Sequence, residues 1–268
     1  MKLGVAIASD NALPSAFVVM RGLEKSIKRA AELGYDGVEL ALKNHDEISH
    51  QDLRAILKKN NMEVSAISSG QVFAARGLMF TEEDKEKRAE LETAFKGFID
   101  LGSEFGGLVN IGRVRGMING RDPQLCENLF LDMAWNLADY AEKRGVKLIL
   151  EPVNRYEIDY INNCDQCAEL VRKVGRKNFT MMPDVFHMNI EDADFAEALI
   201  RNREFVEYIH LADSNRWAPG DGHLDFDRVF SALSKINYNG WCTVECLPYP
   251  DPETAAKRAV DFIRKYYI

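Results

Sequence analysis

A chain of 268 residues with 46% hydrophobic and 28% charged side chains describes a globular protein rather than a fibre or a disordered tail, and a single α/β barrel of about 250 residues would account for it. At that size roughly three quarters of the unfolded surface is buried on folding, so the core needs neither a disulfide nor a metal. The formal net charge of −8, from 34 basic against 42 acidic residues, argues against a binder that tracks nucleic-acid phosphates with clustered Lys and Arg.

In chain order, short apolar runs alternate with longer amphipathic stretches from end to end. The predicted strands are Leu3–Ile7, Gly37–Leu40, Val64–Ser68, Leu108–Ile111, Lys147–Leu150, Thr180–Met182, Val206–Ile209 and Trp241–Val244. The predicted helices are Leu23–Leu33, His50–Asn60, Glu82–Leu101, Pro123–Arg144, Cys164–Val174, Asp194–Ile200, Phe226–Ile236 and Pro252–Tyr266. Gly34, Gly145 and Gly240 follow helices where a C-terminal cap belongs. Strict βα alternation at about 33 residues per unit needs parallel strands with helical crossovers, and eight of them close into a (β/α)8 TIM barrel. The competing open, doubly wound sheet calls for a Gly-rich phosphate turn after the first strand, and Ile7-Ala8-Ser9-Asp10 has no glycine. No linker or composition break divides residues 1–268, which are expected to form one domain.

The five cysteines (Cys126, Cys164, Cys167, Cys242, Cys246) are odd in number and read as reduced thiols of a cytoplasmic protein. Cys164-Asp-Gln-Cys167 lies in a helical pattern and is expected to pack rather than react. The apolar run Leu3–Ala8 is too short for a secretory signal, and no run approaches the 18 or so residues that cross a bilayer.

Chemistry in such a barrel sits where the strands end at the C-terminal rim. The fifth strand runs into Glu151, the sixth into Asp184, the seventh into His210 and the eighth into Glu245. The separations are 33, 26 and 35 residues, close to one βα unit each. Singly, each carboxylate reads as a helix cap or rim charge, and His210 as a loop histidine. Four in succession, each just after an apolar run, read as a cation site, because three crowded carboxylates repel one another unless a cation neutralises them. An oxygen-rich set with one imidazole suits Mn²⁺, with Co²⁺ or Mg²⁺ as alternatives, and no cysteine is placed for structural zinc. Glu157, His187 and Arg216 lie just beyond these strand ends and are expected to line a polyol pocket.

At these residues the chain resembles the xylose-isomerase-like barrels, and within them the ketose 3-epimerases of the D-tagatose 3-epimerase type. The resemblance rests on EPVNRYE (151–157), PDVFHMNIED (183–192), HLADSNRWAPGDGHLDF (210–226) and ECLP (245–248), and the βα count extends it over nearly the whole chain. The long third segment is similar to 5-keto-L-gluconate epimerases, which act on an inositol-related acid sugar. The resemblance implies that Glu151, Asp184, His210 and Glu245 are metal ligands, that Glu151 and Glu245 double as catalytic base and acid, and that Glu157, His187 and Arg216 hold substrate oxygens. It implies a sugar or sugar acid as the substrate, and a homo-oligomer (dimer or tetramer) without nucleic-acid or membrane partners is expected. The chemistry is consistent: a proton on carbon beside a ketone is removed slowly because the enediolate is unstable in water, and a divalent ion stabilises the charge as it develops. One glutamate takes the C3 proton from one face and the other returns it from the opposite face, inverting the centre.

The early strands depart from that branch, which commonly places aromatic residues after strands one and four. Here the fourth strand runs into Gly112-Arg113-Val114-Arg115-Gly116, and Arg113 or Arg115 is expected to read an anionic group on the substrate, with Gln71 after the third strand sharing the work. Trp217 is a candidate lid. Two alternatives remain open on residue types: an aldose–ketose, inosose or hydroxypyruvate-type isomerase with the same metal, and a three-zinc AP endonuclease, which five histidines and an acidic total disfavour.

Overall fold

The chain order, in a computed structural model describing residues 1–268, is β1 (Lys2–Ala8), β2 (Met20–Arg21), α1 (Leu23–Leu33), β3 (Gly37–Ala41), α2 (His50–Asn60), β4 (Glu63–Ser68), α3 (Gly70–Arg76), α4 (Lys85–Glu104), β5 (Leu108–Ile111), α5 (Pro123–Glu142), β6 (Lys147–Leu150), α6 (Cys164–Val174), β7 (Phe179–Met181), α7 (Val185–Glu191), α8 (Phe195–Arg201), β8 (Tyr208–Leu211), α9 (Phe226–Lys235), β9 (Trp241–Val244) and α10 (Pro252–Tyr266). The two-residue β2 pairs only with β1. The other strands are parallel and run β7-β6-β5-β4-β3-β1-β9-β8. Bridges Met181–Val206 and Asp184–His210 join the last neighbours, so the eight strands close into a TIM barrel.

Alternation along each strand sorts side chains between two environments. Val38 and Leu40, Val109 and Ile111, Leu148 and Leu150, Ile209 and Leu211, and Cys242 and Val244 face outward into the large core between sheet and helices. The intervening residues face the barrel interior: Glu39, Asn110, Ile149, Tyr208 and Thr243, all essentially inaccessible. Continuing that phase past the ends of β6, β7 and β9, and within β8 from Tyr208 to His210, brings Glu151, Asp184, His210 and Glu245 to one rim.

Acidic and amide side chains start the helices: Asp84, Asp122, Asn163, Asp194, Asp225 and Asp251 each accept from backbone N–H groups of the first turn. Asp84 therefore sets the start of α4 three residues beyond the predicted Glu82, whose own carboxylate accepts from Glu83 and Asp84 N–H. The cap expected at Gly240 is supplied instead by Asn237, which takes the left-handed conformation (φ 54°). Gly240 is required for close approach, since a Cβ there would lie 3.0 Å from the Glu207 carbonyl oxygen. All five cysteines are buried free thiols, and burial pushes Cys164 and Cys167 up, as expected of packing rather than redox residues. No helix is long and apolar enough to cross a membrane.

Candidate active site

Glu151, Asp184, His210 and Glu245 each offer one ligand atom, and these atoms lie within 4.8 Å of one another. Asp184 serves two purposes with its two oxygens. Oδ1 caps α7 by accepting from Phe186 N–H (2.8 Å), while Oδ2 is buried without a hydrogen-bond partner. The helix-cap role and the cluster role thus coexist on one side chain.

His210 is oriented from below by a residue that the sequence analysis passed over. Its Nε2 lies 2.7 Å from Glu39 Oε2, which also accepts from the Tyr208 hydroxyl (2.8 Å). Tyr208 is held in turn by Ser65 and Thr243. With the Nε2 proton committed to Glu39, Nδ1 faces the cluster, 3.3 Å from Glu151 Oε1 and 3.7 Å from Glu245 Oε2. A ligating histidine is commonly fixed in this way by a carboxylate behind it. The signal for Glu39 was a carboxylate at the inward phase of an otherwise apolar strand.

Arg216 closes the other side. Its guanidinium reaches Glu245 Oε2 (2.5 Å) and lies 3.4 Å from Asp184 Oδ2, stacked between the rings of Phe17 and Phe186. Its backbone sits at φ 62°, a left-handed conformation unfavourable for a long side chain. His187 lies on α7, with Nδ1 2.7 Å from Asn154 Nδ2 and Nε2 3.1 Å from Arg216 Nη1, a donor only, so Nε2 accepts from the guanidinium. Asn154 donates to Glu157 (3.2 Å), so one buried amide positions two of the expected substrate residues.

The electrostatics are those of a site short of positive charge. Burial, partly offset by His210 and Arg216, pushes the Glu245 carboxyl up to about 8, with Glu151 and Glu39 adding repulsion. Burial raises Asp184 likewise, against the attraction of Arg216 and His210. Glu151 is also opposed by burial, but the His210 hydrogen bond and charge, with Arg115 and Arg216, bring it below its ordinary value. Burial would neutralise His210, yet the carboxylates of Glu39, Glu245 and Glu151 outweigh it and hold the imidazole protonated well above its usual range. Burial and the guanidinium of Arg216 keep His187 neutral. The imidazolium and Arg216 thus stand where a cation would balance the carboxylates. The orphaned Asp184 oxygen, the ring nitrogen aimed inward and the three-carboxylate donor set fit a divalent ion bound largely through oxygen.

A cleft opens above the cluster, lined by Glu151, Glu157, His187, Arg216 and Glu245 on one side and by Phe17, Gln71 and Arg113 on the other. An aromatic residue therefore does follow the first strand: Phe17, nine residues past β1, takes the place the sequence analysis found vacant. Gln71 forms the wall rather than offering its amide, since Oε1 accepts from Leu13 N–H (2.9 Å) and Nε2 donates to the Ala41 carbonyl (2.6 Å). Arg115 is not brought to the cleft. Its fully buried guanidinium donates to the carbonyls of Gly112, Tyr160 and Ile161, tying two rim loops together. Trp217 stacks on Tyr249, with ring centroids 4.2 Å apart. Gly112 lets the backbone pass beside the cluster, because a Cβ there would lie 3.1 Å from Glu151 Oε2.

The family model for the xylose isomerase-like TIM barrel matches residues 27–266. The chain belongs to that family. A probable ketose 3-epimerase of Synechocystis sp. is 30% identical over 236 residues, covering 84% of this chain and 79% of the relative. An L-ribulose 3-epimerase of Methylomonas sp. is 29% identical over 92% of each chain. In fold, the chain is similar to the crystal structure of D-allulose 3-epimerase from Methylomonas sp., with a TM-score of 0.86 at 23% identity over 99% of this chain and 97% of that one.

Proposed function

We propose that the protein is a divalent-metal-dependent ketose 3-epimerase, with Glu151, Asp184, His210 and Glu245 holding one ion, Mn²⁺ by preference. The observation that carries this is the convergence of four ligand atoms within 4.8 Å at the mouth of a barrel whose relatives are carbohydrate epimerases. When bound, the ion supplies electrostatic stabilisation of the negative charge that develops on the ketose oxygens as the C3 proton leaves. Glu151, which His210, Arg115 and Arg216 keep ionised against burial, acts as the base at C3. Glu245, at the end of β9, three positions farther round the barrel past β7 and β8, returns a proton from the other face. Arg216 keeps Glu245 in place and donates to substrate oxygens, with His187 beside it in the lining of the cleft. Glu157, fixed by Asn154, accepts from a substrate hydroxyl. The rings of Phe17 and Phe186 about Arg216 exclude water from the reacting end.

The location of solvent deuterium tests this. Manganese-loaded protein incubated with D-fructose or D-tagatose in D₂O is expected to place deuterium at C3 and to form the C3 epimer, both read by NMR. Label at C1 or C2 with an aldose product would instead assign aldose–ketose isomerisation, and no exchange with any ketose would remove the enolisation chemistry.

A further inference from the structure

Strand register sets the floor of the cleft on the side away from the carboxylates. Ala8 pairs with Ala41, Ala41 with Ser68 and Ser68 with Asn110, so one level of β1, β3, β4 and β5 turns these four residues toward the barrel interior. Three of the four are small, which leaves room for the cleft, and Ala41, Ser68 and Asn110 all line it. Asn110 is the one amide at that level, on a strand whose other residues, Leu108, Val109 and Ile111, are apolar. It is 2% exposed.

An amide offers an oxygen that accepts and a nitrogen that donates twice. Here Oδ1 is buried without a hydrogen-bond partner, and Nδ2 reaches only the Met182 sulfur, a weak acceptor, at 3.8 Å. Turning the amide over would exchange its two ends and still leave one against sulfur and the other with nothing. The nearby polar side chains do not answer it. Ser68 Oγ accepts from the Gly70 N–H (3.4 Å), and Gln71 spends both ends of its own amide on Leu13 and Ala41. A buried polar group without a partner destabilises a fold, whereas an apolar side chain of the same shape does not. The open side of Asn110 is the cleft, so the partner that reaches it is a bound molecule.

Gly112 relates this amide to the reacting group. A Cβ on Gly112 would lie 3.1 Å from Glu151 Oε2 and 3.3 Å from Asn110 Oδ1, so both oxygens border the same glycine. We infer that Asn110 is a specificity-determining residue that binds the C4 hydroxyl of the ketose, its Oδ1 accepting the hydroxyl proton. This rests on the epimerase proposal, which places C3 at Glu151. The oxygens on C2 and C3 belong to the metal cluster and Arg216, so the first hydroxyl left for the floor is the one on C4. An amide suits that position because it accepts without adding negative charge to a site that already holds three carboxylates.

D-fructose and 4-deoxy-D-fructose, which differ only in that hydroxyl, test the inference on manganese-loaded protein. Wild type is expected to favour D-fructose in kcat/KM by about tenfold or more, the worth of one buried hydrogen bond. In Asn110→Leu, which fills the same space without polar atoms, the preference should collapse, with Asn110→Ala giving the same comparison should Asn110→Leu fail to fold. Calorimetric binding of the two sugars repeats the comparison without turnover. Equal use of both sugars by wild type, or a preference for D-fructose unchanged in the variants, would overturn the inference and leave the epimerase proposal standing. Asn110-dependent binding of D-fructose over 4-deoxy-D-fructose, without exchange of any ketose proton, would uphold the hydroxyl site and remove the epimerase proposal instead.

Discussion

Glu39 shows how one side chain governs a site from beneath it. Its carboxylate is wholly buried and holds the His210 ring with Nδ1 toward the cluster. Glu39→Gln keeps a hydrogen-bond acceptor and the side-chain volume but removes the charge that makes the imidazole a strong donor. Mn²⁺ affinity measured by electron paramagnetic resonance should fall about 10–100-fold, with the circular dichroism of the fold unchanged. Unchanged affinity would show that His210 is oriented without Glu39. Side chains differ in how far they are legible from sequence. Glu151, Asp184, His210 and Glu245 each end an apolar run, so local pattern and barrel phase place them together. Glu39 sits inside such a run, where only the inward phase distinguishes it. Arg113 and Arg115 have the same chemistry two residues apart, yet carbonyls of the loop after β6 capture one and leave the other at the cleft. Contacts between loops remote in sequence decide that outcome, and no local pattern reports them.

Among the elements, the loop between β8 and α9 does most to fix the site, because it carries Arg216 in a left-handed conformation. Asp213 holds it: the buried carboxylate accepts from Ser214, Gly220 and Leu224 N–H groups at 2.7, 2.8 and 3.0 Å. Asp213→Ala would leave these donors without a partner inside a tight loop. The expected cost is about 2–4 kcal/mol in urea unfolding of the metal-free protein, together with a raised KM as Arg216 loses its anchor. A change below about 0.5 kcal/mol, within the range of ordinary surface substitutions, would mean that the loop is held elsewhere. The same scale explains why α3 and α7 escaped prediction. Each is a seven-residue helix lying between a strand and the helix that crosses to the next strand, where a count of one helix per strand expects only a loop. For α7 the cap Asp184 had already been assigned to the cation cluster, and its second role became visible only with both oxygens located. The long helices and the strands were legible because each spans enough residues to display its period. Strand limits shifted by a residue or two where inter-strand pairing, rather than composition, ends them.

For the whole molecule, the closed barrel followed from eight alternations and the absence of a glycine-rich first turn, and it is closure that brings β6 to β9 around one mouth. The consequence is a concentration of carboxylates that the protein alone balances only with protons and Arg216. Glu245 has a value raised above the ordinary carboxylate range, to about 8, so the metal-free protein carries a proton there that the unfolded chain would release. Its contribution to metal-free stability is therefore present at low pH and is lost as pH rises toward 8. His210, raised by the surrounding carboxylates, carries a second proton that a cation must displace. Cation binding should consequently tighten as pH rises, by about tenfold or more between pH 6 and pH 8.

Titration of metal-free protein with Mn²⁺ at these two pH values, followed by electron paramagnetic resonance, bears most directly on the grouping of the four side chains. One ion per chain is expected, bound more tightly at pH 8 and lost or greatly weakened in Asp184→Asn. No saturable site, three ions per chain, or undiminished binding in a chain lacking both Glu151 and Asp184 carboxylates would contradict it.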